Sequence, residues 1–157
     1  MIYLKNRNRQ QSLKGFTLIE VMMALAILAF CLTGMLLTYI GLLALSETSR
    51  NLSLAVNVAQ TKVEELRNQP FDSLVNFNGT TFDVPGFAAG SAKGRIEVTD
   101  TDYADLKQVR IVSCWRQRGG RLIGEDVNLN GVLNDGEDQN GNNILDSPSE
   151  VISFIAR

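Results

Sequence analysis

The chain has 157 residues, 45% of them hydrophobic and 20% charged, with two cysteines, no histidine and a net charge of −2. This composition excludes a wholly disordered or collagen-like chain, and two cysteines cannot build a disulfide framework. The lack of histidine excludes most zinc sites and every histidine-based catalytic triad.

Charge is distributed unevenly. Residues 1–15 carry Lys5, Arg7, Arg9 and Lys14 and no acid. The 25 residues Val21 to Leu45 carry no charge at all. Between Glu125 and Glu150 there are seven acids and no base. The order is therefore a basic leader (1–15), an apolar span (16–45), an amphipathic segment (46–69) and a mixed domain (70–157) with an acidic insertion at 124–150.

At about 1.5 Å per helical residue, 25 uncharged residues reach roughly 37 Å, enough to cross the hydrocarbon of a bilayer, which is about 30 Å thick. A buried core helix of that length needs a larger protein around it than the remaining chain supplies. The expectation is one membrane-spanning helix. The leader charges favour the cytoplasmic side, which places the C-terminal domain in the periplasm or outside. An ordinary secretory signal has a shorter apolar region with a cleavage site after it, so any cut must fall before the span.

Glu20 stands almost alone at the start of the span. A carboxylate within hydrocarbon costs about 2.5 kcal/mol or more on insertion scales, so it needs a partner or a place at the headgroup boundary. The junction Gly15-Phe16-Thr17-Leu18-Ile19-Glu20-Val21 resembles the N-terminal class III signal of type IV pilins and type II secretion pseudopilins. With the following Met22-Met23-Ala24-Leu25-Ala26-Ile27-Leu28 it is most similar to minor pilins of the PilV kind and to minor pseudopilins. The resemblance covers residues 1–70. It implies cleavage between Gly15 and Phe16 by a prepilin peptidase, N-methylation of Phe16, and pairing of Glu20 with the N-terminal amine of a neighbouring subunit during assembly. It also implies that the span is a temporary anchor in the bacterial inner membrane, which later packs among other pilin or pseudopilin subunits in a filament.

Beyond Leu45, Leu52, Val56, Ala59, Val63 and Leu66 follow a 4-3-4-3 spacing, the apolar stripe of an amphipathic helix. Pro70 disfavours helix at residue 69. One helix from about 16 to 68 is expected. Residues 71–92 read as an irregular connection with a short strand at 80–84. Arg95–Thr99 alternates polar and apolar residues, and Leu106–Trp115 is rich in β-branched residues, so both read as strands. Arg118-Gly119-Gly120-Arg121 is a turn, and Val151–Ile155 is a last strand. The expected fold class is α+β: a long N-terminal helix whose C-terminal half packs on a small antiparallel sheet, which is also the architecture the resemblance implies. Cys31 reads as a small apolar residue of the span and Cys114 as a buried one, too far apart for a disulfide on a straight helix.

The acidic insertion carries a pattern of its own. Asp126-Val127-Asn128-Leu129-Asn130-Gly131, five residues, then Glu137, fits D-x-[DN]-x-[DN]-G-x5-E. Oxygens at positions 1, 3 and 5 converge as the chain curls, Gly131 permits the sharp turn, Val132 offers its carbonyl, Asn134 holds the often water-bridged position, and Glu137 closes the shell. A second copy starts twelve residues later, with Asp138, Asn140, Asn142, the Ile144 carbonyl and Asp146 at positions 1, 3, 5, 7 and 9. Asn143 replaces the glycine, Ser149 holds the closing position, and Glu150 comes one step late. The copies resemble the calcium loops of dockerins and thrombospondin type 3 repeats. A hard shell of many oxygens suits Ca²⁺, one or two ions at about 10⁻⁴–10⁻³ M, and the repulsion among seven acids also favours a cation. The alternative is a solvated loop whose Asn and Asp side chains bond their own backbone.

The leading reading is a structural subunit with no catalytic site: a minor pilin with a calcium-stabilised loop. A minor pseudopilin of a type II secretion system and a calcium-dependent adhesive module on a single-span anchor are alternatives. A single-span enzyme has little support, since Asp126 and Glu137 find no nucleophile or other catalytic constellation. Nucleic-acid binding is disfavoured because the exported domain is acidic. Arg110, Arg116, Arg118 and Arg121 read as a solvated strand face.

Overall fold

The structure is a computed structural model and describes residues 15–157; the leader charges Lys5, Arg7, Arg9 and Lys14 lie outside the described residues. The fold is α+β, with one long helix followed by an antiparallel sheet packed against it. Helix α1 runs Leu18–Arg67. The chain divides into two compact units at Leu43 and Ala44, so the first half of α1 belongs to one unit and the second half to the other.

In the first unit the helix is apolar on every side and solvent-exposed throughout. It is long and apolar enough to cross a membrane. Its two threonine hydroxyls do not oppose that. Thr33 Oγ1 donates to the Ala29 carbonyl at 2.8 Å and Thr38 Oγ1 to the Gly34 carbonyl at 2.9 Å. Hydroxyls tied back one turn leave no donor seeking a partner in hydrocarbon.

In the second unit α1 covers one face of the sheet. The buried line is Asn51, Ala55, Ala59, Val63 and Leu66. The expected stripe is thus right at its C-terminal three positions and one residue off before them: Leu52 and Val56 flank the line half-buried. The small Ala55 and Ala59 let the helix approach the sheet, and the larger neighbours close the sides. After Pro70 a 3₁₀ turn, Phe71–Phe77, buries Leu74 where the sequence suggests only a loop.

The sheet contains β1 (Thr81–Asp83), β2 (Ala92–Asp100), β3 (Leu106–Arg116), β4 (Leu122–Ile123) and β5 (Ser149–Ala156), all paired antiparallel. β3 is central. β2 lies along one side of it; β4 and β5 share the other, β4 at Trp115–Arg116 and β5 along Leu106–Ser113. The turn at 118–121 joins β3 to β4, as expected. The helix-facing core is built from residues such as Ala59, Val63, Leu66, Val109 and Ile111, with a second cluster around Ala55, Val84, Ala92 and Trp115.

The segment between β4 and β5 folds back over the opposite face of the sheet. There Val112 and Cys114 pack with Leu145, Leu129 and Leu133. β3 is therefore buried on both faces from Val109 to Trp115, while its last residue, Arg116, is exposed.

Candidate functional site

At the N-terminal junction, Gly15, Phe16 and Thr17 precede the helix, and Phe16 is 88% exposed. The peptide bond between Gly15 and Phe16 lies outside regular structure, the form in which a peptide bond is open to a peptidase. Thr17 then caps the helix. Its backbone N–H and its hydroxyl donate to Glu20 Oε2 at 2.9 and 3.0 Å, and the Glu20 N–H donates back to Thr17 Oγ1 at 3.3 Å. This is a reciprocal capping box, in which residues three apart satisfy each other's orphan donors. The carboxylate that needs a partner thus has one at the start of its own helix. The T-x-x-E spelling carried that signal.

In the acidic insertion the two twelve-residue copies share one backbone over their first nine positions. Positive φ occurs at the fourth position of each, Leu129 (57°) and Gly141 (75°), and at the sixth, Gly131 (79°) and Asn143 (59°). Asn143 thus does the work of the missing glycine, as expected. Gly131 serves a second purpose, since a side chain there would collide with Thr81 of β1.

The hydrogen bonds repeat as well. Asp126 accepts from the N–H groups of Asn130 (3.0 Å) and Gly131 (2.6 Å); Asp138 accepts from Gly141 (2.7 Å), Asn142 (3.2 Å) and Asn143 (2.8 Å). These donors, Asn143 foremost, hold the Asp138 carboxyl below the usual carboxylate range. Asn128 and Asn140 Oδ1 each accept from the N–H two residues on at 3.0 Å, and so do Asn130 (2.7 Å) and Asn142 (2.8 Å). The amide nitrogens of Asn128 and Asn130 converge on Asn134 Oδ1 at 2.8 and 2.9 Å, and those of Asn140 and Asn142 on Asp146 Oδ2 at 2.7 and 2.8 Å. Positions 3, 5 and 9 therefore meet at one point in both copies. The Val132 and Ile144 side chains point to solvent while Leu133 and Leu145 anchor the loops on the sheet.

The copies differ at their closing ends. Glu137 is buried, and its two oxygens accept from Val127 (3.0 Å), Asn128 (3.2 Å) and Asn134 (2.9 Å) N–H groups. Ser149, the corresponding residue of the second copy, is the first residue of β5, fully buried and paired with Ser113. Glu150 turns instead to Arg110.

The arginines are the residues that the sequence reading missed. Arg110 is 7% exposed. Its Nε bonds Glu150 Oε1 at 2.6 Å, Nη1 bonds Glu97 Oε2 at 2.8 Å, and Nη2 bonds the Leu145 carbonyl at 2.8 Å and Asp146 Oδ1 at 3.1 Å. Burial opposes its charge, but Glu150 and Glu97 outweigh that and raise its pKa above the ordinary arginine value. Arg95 Nη1 donates to the Gly131 carbonyl and Arg116 Nη2 to the Val127 carbonyl, both at 2.9 Å. Arg110 and Arg116 thus tie the insertion to the sheet; Arg110 is buried and not part of a solvated face, whereas Arg116, Arg118 and Arg121 are exposed, as expected. Seven acids are tolerated here in part because backbone N–H groups and Arg110 already partner them.

Among the described residues no three His, Cys, Asp or Glu side chains are grouped to hold a metal. Any cation in the loops would rest on asparagine and backbone oxygens beside at most two carboxylates. Cys31 and Cys114 are both free, the first exposed and the second buried.

Residues 12–36 match the family model described as the prokaryotic N-terminal methylation motif. No curated protein and no solved structure matches the chain.

Proposed function

We propose that this chain, which its methylation motif marks as a type IV pilin-like prepilin, is a minor structural subunit of a type IV pilus, held at first by its apolar helix in the inner membrane with its sheet domain in the periplasm. The observation that carries this reading is the junction itself: an exposed Gly15–Phe16 bond, a capped helix start at Thr17 and Glu20, and an apolar helix with no cover of its own. A prepilin peptidase would cut before Phe16, and Phe16 would become the methylated N-terminus. The apolar surface, costly in water at about 25 cal/mol per Å², would be covered first by lipid and then by the helices of other subunits.

Thr17 donates only to Oε2 of Glu20. The remaining oxygen can receive the N-terminal amine of a neighbouring subunit without undoing the cap. Co-expression with a prepilin peptidase is the test. The product is expected to lose residues 1–15 and to begin with N-methylphenylalanine by mass spectrometry; an uncut chain overturns the reading. Glu20→Ala is expected to be cut normally but to enter filaments poorly.

Calcium in the insertion belongs to the same proposal. The first loop offers Asp126, Asn128, Asn130, the Val132 carbonyl, Asn134 and Glu137, a set of oxygens that suits a hard cation of six to eight ligands. Three of its amides already meet at one point, where Asn134 presents its oxygen and Asn128 and Asn130 their nitrogens; turning Asn128 and Asn130 over would bring three oxygens together there. The ion would tighten the insertion that leads into β5. A calcium-dependent rise in melting temperature of the full chain in detergent supports this; no shift at millimolar calcium overturns it.

A further inference from the structure

The two loops share a backbone but not a charge plan, and the difference centres on one side chain. We propose that Arg110 is the resident cation of the second loop, so that calcium, where the reading above holds, enters the first loop alone. Both acids that the second loop could turn toward a metal at its closing end, Asp146 and Glu150, are bonded to the Arg110 guanidinium at 3.1 and 2.6 Å. The same group takes the Leu145 carbonyl at 2.8 Å, so it grips the loop by backbone and side chain at once. Ser149 brings no oxygen to the loop's close, being buried as the first residue of β5. In the first loop the closing carboxylate Glu137 is met by backbone N–H groups only, and among the described residues no cationic side chain pairs with Asp126 or Glu137.

The arrangement is asymmetric for a physical reason. A guanidinium built into the sheet is a permanent partner for Asp146 and Glu150 and costs no binding entropy, whereas a metal site must be filled from solution. Arg110 is also desolvated, which strengthens its pairing with the acids relative to an exposed arginine. The chain thereby keeps one loop closed at all times and leaves one responsive.

The test uses the full chain in detergent micelles, with calcium chloride as the probe. In EDTA, hydrogen exchange across 138–148 is expected to be slow in the wild type. In Arg110→Met it is expected to accelerate at least about tenfold, with 126–137 little changed. Millimolar calcium is expected to restore protection of 138–148 in Arg110→Met, a response that a purely packing role for Arg110 would not produce. Calorimetric titration of the wild type is expected to give one ion per chain. Two ions in the wild type, an unprotected second loop in EDTA, or an Arg110→Met chain whose second loop stays protected each overturns the proposal. It is also overturned if calcium restores nothing in that variant while the wild type binds one ion. Should Arg110→Met fail to fold, the wild-type stoichiometry and EDTA protection still decide. No calcium bound to the wild type removes the calcium reading of the first loop, and the EDTA protection then decides the role of Arg110 by itself.

Discussion

Leu129 and Gly141 hold the same left-handed backbone position in the two copies of the insertion, with φ of 57° and 75°. A leucine there carries strain of roughly 1–2 kcal/mol. It is retained because its side chain packs against the cluster of Val112, Cys114 and Leu145. Glycine and alanine at this position separate the two effects. Leu129→Gly relieves the strain and loses the packing, so its net change is expected to be near zero. Leu129→Ala keeps the strain and loses the packing, and is expected to be less stable than Leu129→Gly by about 1 kcal/mol. Urea unfolding of the full chain in detergent measures the difference; equal stability of the two variants contradicts the account.

Thr17 is expected to matter for the helix start independently of any assembly role. Thr17→Ala removes the hydroxyl that both donates to Glu20 and accepts from its N–H. Loss of such a cap costs about 1 kcal/mol, or about fivefold in local opening. Exchange of the Glu20 and Val21 amides in micelles should accelerate by that factor in Thr17→Ala and much less in Thr17→Ser. If the alanine variant exchanges like the wild type, the box contributes nothing in a micelle.

What the sequence revealed and what it hid follow from the range of the interactions involved. The span, the long helix and the last strand are local patterns, readable from charge and periodicity. The twelve-residue repeat is local too, and Asn143 adopts the conformation its position demands. Arg110 is different. Alternation along β3 places it on the face away from the helix, and that face is solvated only if nothing covers it. The cover arrives from residues some 35 positions later, as the Arg110–Leu145 bond shows. A signal was present nonetheless: Val109, Ile111, Val112 and Cys114 are apolar on both faces of one strand, the mark of a strand buried on both sides. The shift of the helical stripe from Val56 to Ala55 has a similar origin, because the distance of helix from sheet favours the smaller residue at the line of closest approach.

Cys114 is expected to be chemically inert in the folded chain. Burial pushes its thiol above the usual range, with the nearby Asp126 carboxylate adding to the rise against opposing hydrogen bonds from the Asp126 and Glu125 backbone. A raised pKa means a smaller thiolate fraction than a free cysteine has at any given pH, and the thiolate is the reactive form. In a Cys31→Ser background, maleimide labelling at pH 8 should therefore be slower than in the denatured chain by at least about a hundredfold, since reaction requires local opening. Prompt labelling of the native chain would mean that the insertion does not stay seated on β3.

The junction of the insertion with β5 contains a buried polar pair that the fold does not satisfy. Ser113 and Ser149 face each other across β3 and β5, both fully buried, and neither hydroxyl has a hydrogen-bond partner. Ser147, two residues before Ser149, is fully used: its hydroxyl donates to the Ser113 carbonyl at 2.5 Å and accepts from the Ser149 N–H at 3.3 Å. An unmet buried hydroxyl costs about 1–3 kcal/mol, while a made hydrogen bond contributes about 1 kcal/mol. Removing the two kinds of hydroxyl should thus act in opposite directions. Ser113→Ala is expected to raise the melting temperature or leave it unchanged, and Ser147→Ala to lower it by several degrees. Thermal unfolding followed by circular dichroism in detergent distinguishes them. A loss of stability in Ser113→Ala as large as that in Ser147→Ala would mean that the Ser113 hydroxyl has a partner in solution, with a water between the two serines the first place to look.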